Sequence, residues 1–180
     1  AFIIYKINKN LFDLLFSFLF LIVCLPLFII ISLLIKLSSR GPIFFLQKRI
    51  GKNNIPFKCI KFRTMHPEAK DILENLLIKD NKLKIEFEKT HKIKNDPRIT
   101  TIGKILRKTS LDELPQFFNV LKNEMSIVGP RPERPFFVNK FKTEIPNYML
   151  RHKMKAGLTG WAQVNGWRGD TSLYKRIEFD

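Results

Sequence analysis

Leu14-Leu15-Phe16-Ser17-Phe18-Leu19-Phe20-Leu21-Ile22-Val23-Cys24-Leu25-Pro26-Leu27-Phe28-Ile29-Ile30-Ile31-Ser32-Leu33-Leu34-Ile35 is apolar but for two serines and one proline. At about 1.5 Å per residue a helix of this length reaches roughly 33 Å, the thickness of a bilayer core. A signal peptide fits poorly: the run is long, and Lys36 and Arg40 follow it in place of a small-residue cleavage site. The stretch therefore reads as a membrane helix. Pro26 stands near its midpoint, removes a backbone donor and clashes with the preceding turn, so a bend or break is expected there. Lys6 and Lys9 precede the run, and Lys36, Arg40, Lys48 and Arg49 follow it. Basic flanks on both sides leave the positive-inside rule without a winner. A kinked span and a helix that enters and leaves on one face both stay open at this point.

The 180 residues suffice for one domain with a core plus this element. We expect residues 1–40 to form the membrane-embedded part and residues 41–180 a separate domain outside the membrane. The non-Met start and the end at Asp180 read as an excerpt of a longer protein. Net charge is +16, from 32 Lys and Arg against 16 Asp and Glu, which favours polyanionic partners: nucleic acid, anionic lipid or phosphorylated substrates. Two distant cysteines make no disulfide framework, and three isolated histidines give no zinc pattern.

Past Arg40 the composition turns mixed. Residues 43–46 and 55–65 read as strands joined by a Gly51-Lys52-Asn53-Asn54 hairpin. Residues 67–94 have helical periodicity and end at Asn95-Asp96-Pro97. Residues 102–107 form a short basic helix, and 115–122 present an apolar face. Residues 126–128 lead into Gly129-Pro130-Arg131-Pro132, residues 136–150 hold a helix broken at Pro146, and the tail from Gly157 is loop-rich.

Within this basic chain two carboxylates stand side by side in Thr109-Ser110-Leu111-Asp112-Glu113-Leu114-Pro115-Gln116. Ser110-Leu111-Asp112-Glu113 matches a capping box, but Pro115 would then fall where a backbone donor is needed. Alternatively the helix starts at Pro115 and the acids stand just before it. Either way they lie at the positive end of a helix, which favours the ionised form. An ionised Asp coordinates a metal or attacks phosphorus. Lys61 and Arg63, two apart on a strand, would point to one face about 6.6 Å apart and grip adjacent phosphates; the plain alternative is a solvated strand face. Arg131 between two prolines is presented with little entropy left to lose, or it is a turn with an incidental arginine. Lys155-Ala156-Gly157-Leu158-Thr159-Gly160-Trp161-Ala162-Gln163 offers close backbone approach at Gly160 and side chains such as Gln163 for a base. It is not a P-loop.

Taken together these residues resemble the bacterial sugar transferase family, the monotopic phosphoglycosyl transferases that begin lipid-linked glycan synthesis. The stretches that carry the resemblance are Lys61-Phe62-Arg63-Thr64-Met65, Asn95-Asp96-Pro97-Arg98-Ile99-Thr100, Leu106 through Gln116, Gly129-Pro130-Arg131-Pro132, and Gly157 through Gly166. They cover nearly the whole chain in order. The resemblance implies an α/β (α+β) fold: a re-entrant N-terminal helix broken near Pro26, with a small mixed catalytic domain and interfacial helices at the cytoplasmic face of the inner membrane. It implies transfer of a sugar-1-phosphate from a UDP-sugar to polyprenyl (undecaprenyl) phosphate with release of UMP, as a first membrane step of exopolysaccharide, O-antigen, capsule or glycoprotein glycan synthesis. Asp112 would be the nucleophile, forming a covalent phosphosugar intermediate with Mg2+ nearby, and Glu113 would assist the metal or the proton chemistry. Arg107 and Arg131 would contact phosphate. Expected partners are the donor, the acceptor and membrane lipid, without nucleic acid; a homo-oligomer is allowed, and the sugar is unreadable.

Two departures stand out. Leu25 replaces the Ser often found before the helix-breaking proline, and Ala156-Gly157 replaces a common Pro-Gly. Gly166-Trp167-Arg168-Gly169-Asp170 resembles the larger subgroup, whose members carry extra membrane helices and a further domain upstream. The competing reading is a membrane-anchored basic nucleic-acid-binding module. Against it, no DNA- or RNA-binding motif is present, and the acid pair would repel phosphate unless a metal intervened.

Overall fold

A computed structural model describes residues 2–91, 93–167 and 171–180. The Arg168-Gly169-Asp170 part of the subgroup resemblance lies outside the described residues. The chain is mixed α/β and folds as two compact units. The first comprises residues 1–25, 46–61 and 115–180; the second comprises residues 26–45 and 62–114.

The apolar run forms two helices, α1 (Phe2–Val23) and α2 (Leu25–Ser38), bent by 62° at Cys24. Cys24 donates the last bond of α1 to the Phe20 carbonyl at 2.9 Å. Pro26 then falls in the first turn of α2, where a missing N–H costs nothing. The break is thus where the proline places it. Among the described residues no single helix is long and apolar enough to cross a membrane; the bent pair Ile7–Val23 and Leu25–Ser38 passes only jointly, by length and composition.

In the first unit, β1 (Phe44–Ile50) and β2 (Pro56–Phe62) make the expected hairpin around a 3-10 turn, Lys52–Asn54. Asn53 and Asn54 adopt left-handed φ of 53° and 62°, which asparagine tolerates in turns. A second sheet was not expected: β3 (Met125–Val128) pairs in parallel with β4 (Ala156–Thr159), Met125 opposite Ala156 and Val128 opposite Thr159. Phe57, Cys59, Val120, Met125 and Ala156 form the core between these sheets and α6 (Gln116–Leu121). α1 lies on α6, where Phe20 stacks on Phe117 with ring centroids 4.1 Å apart. Midway along its length α1 turns a polar residue toward the protein. Asp13, only 4% exposed, accepts from Ser126 Oγ at 2.7 Å and pairs with Lys9 at 3.3 Å.

In the second unit the periodic segment 67–94 is two helices, not one: α3 (Ala69–Lys79) and α4 (Asn81–Thr90). Asp80 turns extended and its carboxylate accepts from the Lys82 and Leu83 N–H groups, so a strong N-cap restarts the helix. α5 (Thr101–Thr109) runs slightly beyond the expected 102–107 at both ends. Back in the first unit, α7 (Pro135–Glu144) stops before Pro146 and is followed by a 3-10 stretch, Tyr148–Lys153. Short helices α8 (Trp161–Val164) and α9 (Leu173–Glu178) punctuate the tail that was expected to be loop-rich.

Candidate active site

The acid pair follows the C-terminal end of α5, and the second unit anchors that helix at its N-terminal end. Thr100 caps the helix, its hydroxyl accepting from the Gly103 N–H at 2.9 Å. The Thr100 N–H donates to the Thr64 carbonyl at 3.1 Å. Gly103 packs so closely on that carbonyl that a Cβ would overlap it. Asp96 receives the Arg98 side chain at 2.6 and 2.8 Å and the Arg98 N–H at 3.0 Å. Burial would raise the Asp96 carboxyl, but the bonds and charge of Arg98 outweigh it and hold the group below the usual carboxylate range.

α5 ends at Ser110, in the left-handed conformation at φ 59°. The next residues form a 3-10 turn, Leu111–Glu113, with the Glu113 N–H donating to the Ser110 carbonyl at 3.1 Å. The capping box is therefore not formed. Ser110 closes the preceding helix and makes no side-chain cap, because its positive φ turns the chain rather than starting a new helix. The next helix, α6, begins at Gln116 after Pro115, so the acids precede it in the chain, as in the second expectation. Both carboxylates are half-buried.

Arg107 comes from the last turn of α5, one helical turn ahead of the acids. Its Nε donates to Thr64 Oγ1 at 2.8 Å. Desolvation draws this guanidinium below its ordinary value, and the charge of Asp112, then of Asp96, opposes the shift. The group stays cationic at any physiological pH. Arg107 and Asp112 are thus within electrostatic reach, and Thr64 fixes the arginine's inner nitrogen. That brings a carboxylate within the field of a guanidinium whose outer nitrogens are of the kind that pair with phosphate oxygens.

Arg63 is engaged differently from the expected strand face. β2 ends at Phe62, so the two-residue strand spacing from Lys61 does not extend to Arg63. The Arg63 side chain is buried and donates to the Arg40 carbonyl at 2.8 Å, the Ser39 carbonyl at 2.7 Å, Ser39 Oγ at 3.0 Å and the Ile35 carbonyl at 3.4 Å. Carbonyls at a helix C-terminus lack intrahelical donors and carry partial negative charge. Arg63 meets that need at the end of α2. Lys61 is half-buried near the end of β2.

In the first unit the Gly129-Pro130-Arg131-Pro132 turn follows β3. The Gly129 N–H donates to the Thr159 carbonyl at 2.9 Å, and the Gly157 N–H to the Pro130 carbonyl at 2.9 Å. Cβ atoms at Gly157 or Gly160 would both run into Gly129, so these glycines serve close backbone packing beside Arg131. Gln163 donates its Nε2 to the Leu158 carbonyl at 3.1 Å, while its Oε1 is buried without a donor among the described residues. Trp161 is largely exposed.

The residues that could hold a divalent cation are Asp112 and Glu113. Mg2+ characteristically takes one or two carboxylates and fills its remaining positions with waters and substrate phosphates. Two adjacent half-buried carboxylates fit that pattern. Among the described residues no group of three or more His, Cys, Asp or Glu forms an all-protein cage. Sequence reasoning passed over Asp13, Arg151 and Asn119. Asn119 is fully buried and bonds the Ile60 N–H and the Lys58 carbonyl. A lone acid at the edge of an apolar run was the available signal for Asp13.

The profile of the bacterial sugar transferase family matches residues 4–180, and the chain belongs to that family. It is 44% identical over 179 residues to the UDP-glucose:undecaprenyl-phosphate glucose-1-phosphate transferase of Escherichia coli K12, covering 97% of this chain and 35% of that protein. It is 41% identical over 174 residues to the exopolysaccharide production protein ExoY of Sinorhizobium fredii, covering 97% of this chain and 75% of that protein. The undecaprenyl-phosphate galactose phosphotransferase of Salmonella typhimurium is 41% identical over 172 residues, covering 96% of this chain and 35% of that protein. The chain thus spans about a third of the two named transferases and three quarters of ExoY.

Proposed function

We propose that this chain is the catalytic part of a polyprenyl-phosphate sugar-1-phosphate transferase acting on a UDP-sugar and undecaprenyl phosphate. The observation that carries the reading is the Asp112–Glu113 turn held at the end of α5 beside Arg107. The names of the relatives supply donor and acceptor classes but differ in the sugar, glucose in one and galactose in another.

In the proposed mechanism an Asp112 carboxylate oxygen attacks the sugar-bearing phosphorus of the donor. An Asp–O–P bond forms, the P–O–P anhydride bond breaks, and UMP leaves with the anhydride oxygen. Arg107 holds charge that builds on the transferring phosphoryl oxygens, and Arg131 is kept as a phosphate contact on the family resemblance. A phosphate oxygen of the lipid acceptor then attacks the same phosphorus and frees the carboxylate. Asp112 and Glu113 would hold Mg2+, which would neutralise negative charge on the phosphates. Lys61 is a further phosphate contact in this reading, and Gly160 and Gln163 border the nucleotide.

The bent pair α1–α2 is proposed to be re-entrant, with both ends at the cytoplasmic face of the inner membrane. What supports it is the 62° break, the basic residues on both flanks, and outward-facing Phe18, Ile22, Val23, Ile29, Ile30 and Leu33. An acceptor phosphate at headgroup level needs its nucleophile there.

The test is Asp112→Asn, which keeps the shape and removes the nucleophile. Incubation with sugar-labelled UDP-sugar and Mg2+ should label the wild-type protein and not the variant, and UMP release should cease. Near-wild-type release by Asp112→Asn would sink the assignment.

A further inference from the structure

Four consecutive carbonyls, from Pro130 to Glu133, each accept a hydrogen bond. Pro130 takes the Gly157 N–H at 2.9 Å, and Glu133 takes the Ile50 N–H at 3.0 Å. The two between them are bound by side chains: Arg131 O by Arg151 at 2.9 Å, and Pro132 O by Arg49 at 3.0 Å. Binding a single carbonyl with a buried guanidinium is costly unless the charge is met elsewhere. Here it is met. Arg151 pairs with Asp180 at 2.5 Å, both side chains 2% exposed, and its other terminal nitrogen donates to the Tyr148 hydroxyl at 3.3 Å. Glu133 lies 3.8 Å from Arg49 and 3.2 Å from Arg176.

We propose that Arg151 with Asp180, seconded by Arg49 with Glu133, are positioning residues that aim Arg131 at the phosphates of the sugar donor. The reasoning is geometric. Prolines on either side restrict the turn's own torsions, but they do not fix where the turn sits on the domain. A backbone bonded at every carbonyl across the turn does fix it. Arg131 then leaves from a base that cannot recoil when phosphoryl charge pulls on the side chain. The two braces come from distant parts of the chain, β1 on one side and the 3-10 stretch Tyr148–Lys153 on the other. A surface turn with an incidental arginine needs neither, and a core built only for stability would do as well with apolar groups in their place.

The inference rests on the reading of Arg131 as a phosphate contact, and the experiment separates the two. UMP release is measured in the protein in detergent with UDP-sugar, undecaprenyl phosphate and Mg2+, for Arg131→Ala, Arg151→Lys, Asp180→Asn and the doubles with Arg131→Ala. Lysine keeps the charge against Asp180 but loses the rigid guanidinium, one terminal nitrogen of which donates to both the Asp180 carboxylate and the Arg131 carbonyl while the other donates to the Tyr148 hydroxyl. Arg131→Ala should lose about 100-fold in turnover, the size typical of one electrostatic donor. Arg151→Lys and Asp180→Asn should each lose about tenfold in kcat with less than threefold change in KM, since small misplacements act on the transition state. In the Arg131→Ala background neither should cost anything further, because residues acting through one group are not additive. Thermal unfolding checks that each variant folds. Should Arg151→Lys not fold, the isosteric Asp180→Asn and Arg49→Lys on the neighbouring carbonyl are read in the same way. Wild-type turnover in Arg131→Ala would remove the phosphate reading itself. An impaired Arg131→Ala, with brace variants that are either fully active or multiply in full with it, would overturn the brace alone.

Discussion

Replacing Thr64 by valine keeps the side chain's shape and removes one oxygen. That oxygen accepts from Arg107 Nε at 2.8 Å, while the Thr64 carbonyl continues to accept from the Thr100 N–H. The variant therefore leaves the seat of α5 intact and frees only the inner nitrogen of the arginine. A hydrogen bond to a charged group contributes about 1.5–3 kcal/mol. Arg107 as a whole is exposed, and water takes up part of the lost bond, so about 1 kcal/mol of stability should go. For a chain of this size that lowers the unfolding temperature by roughly 2–4 °C. Activity should suffer more than stability. A guanidinium with no inner anchor samples several rotamers, and about a tenfold fall in UMP release is expected, with little change in KM for the donor. Thr64→Ser restores the oxygen and should recover most of the rate. Wild-type turnover in the valine variant, or equal damage in the serine variant, would refute the claim that Thr64 aims Arg107.

Pro26→Ala should straighten the α1–α2 break, since the proline penalty within a helix is about 3 kcal/mol and is lifted. Cysteines at the exposed Asn8 and Lys36, in a Cys24→Ser, Cys59→Ser background, should both react with an impermeant thiol reagent on sealed inverted vesicles before the substitution. One of them should become protected in part of the population after it. His152 is buried, and burial, then the charge of Arg151, pulls its pKa below the usual value. The unfolded chain then binds the proton first as pH falls, so stability declines from about pH 6.5 downward until the folded-state pKa is reached. His152→Gln should flatten that part of a denaturant-midpoint profile, and an unchanged slope would show that other groups cause it.

The reach of the sequence reading follows the range of the forces involved. Pro26 and the Asp80 cap both act within a turn of helix, yet only the proline was read correctly, because helical periodicity in 67–94 runs on through the cap and hides it. The hairpin of β1 and β2 is local and was legible. β4 was not: four residues with a central glycine have little strand character, and they become a strand only by pairing with β3 some thirty residues earlier. Asp112, Glu113 and Arg107 were legible as a cluster because one helix end holds them all. Arg63 was read as sharing a strand face with Lys61, which holds only if β2 continues past Phe62. Its actual partners are carbonyls over twenty residues away, and no spacing rule marks them.

Asp13 imposes an order of events on biosynthesis. Its partner Ser126 lies 113 residues further along the chain. At a synthesis rate of about 5–20 residues per second, roughly 6–20 s pass before that hydroxyl exists. Through this interval the carboxylate sits next to the apolar run, which the proposed re-entrant arrangement sends into the acyl chains, where an unpaired charge is expensive. Lys9, one helical turn earlier and made first, is the only charge partner the structure gives it among the described residues during that time. The ion pair is then a chaperone carried in cis. In the proposed re-entrant arrangement it would let α1 enter the bilayer before β3 is made and supplies Ser126 to the acid.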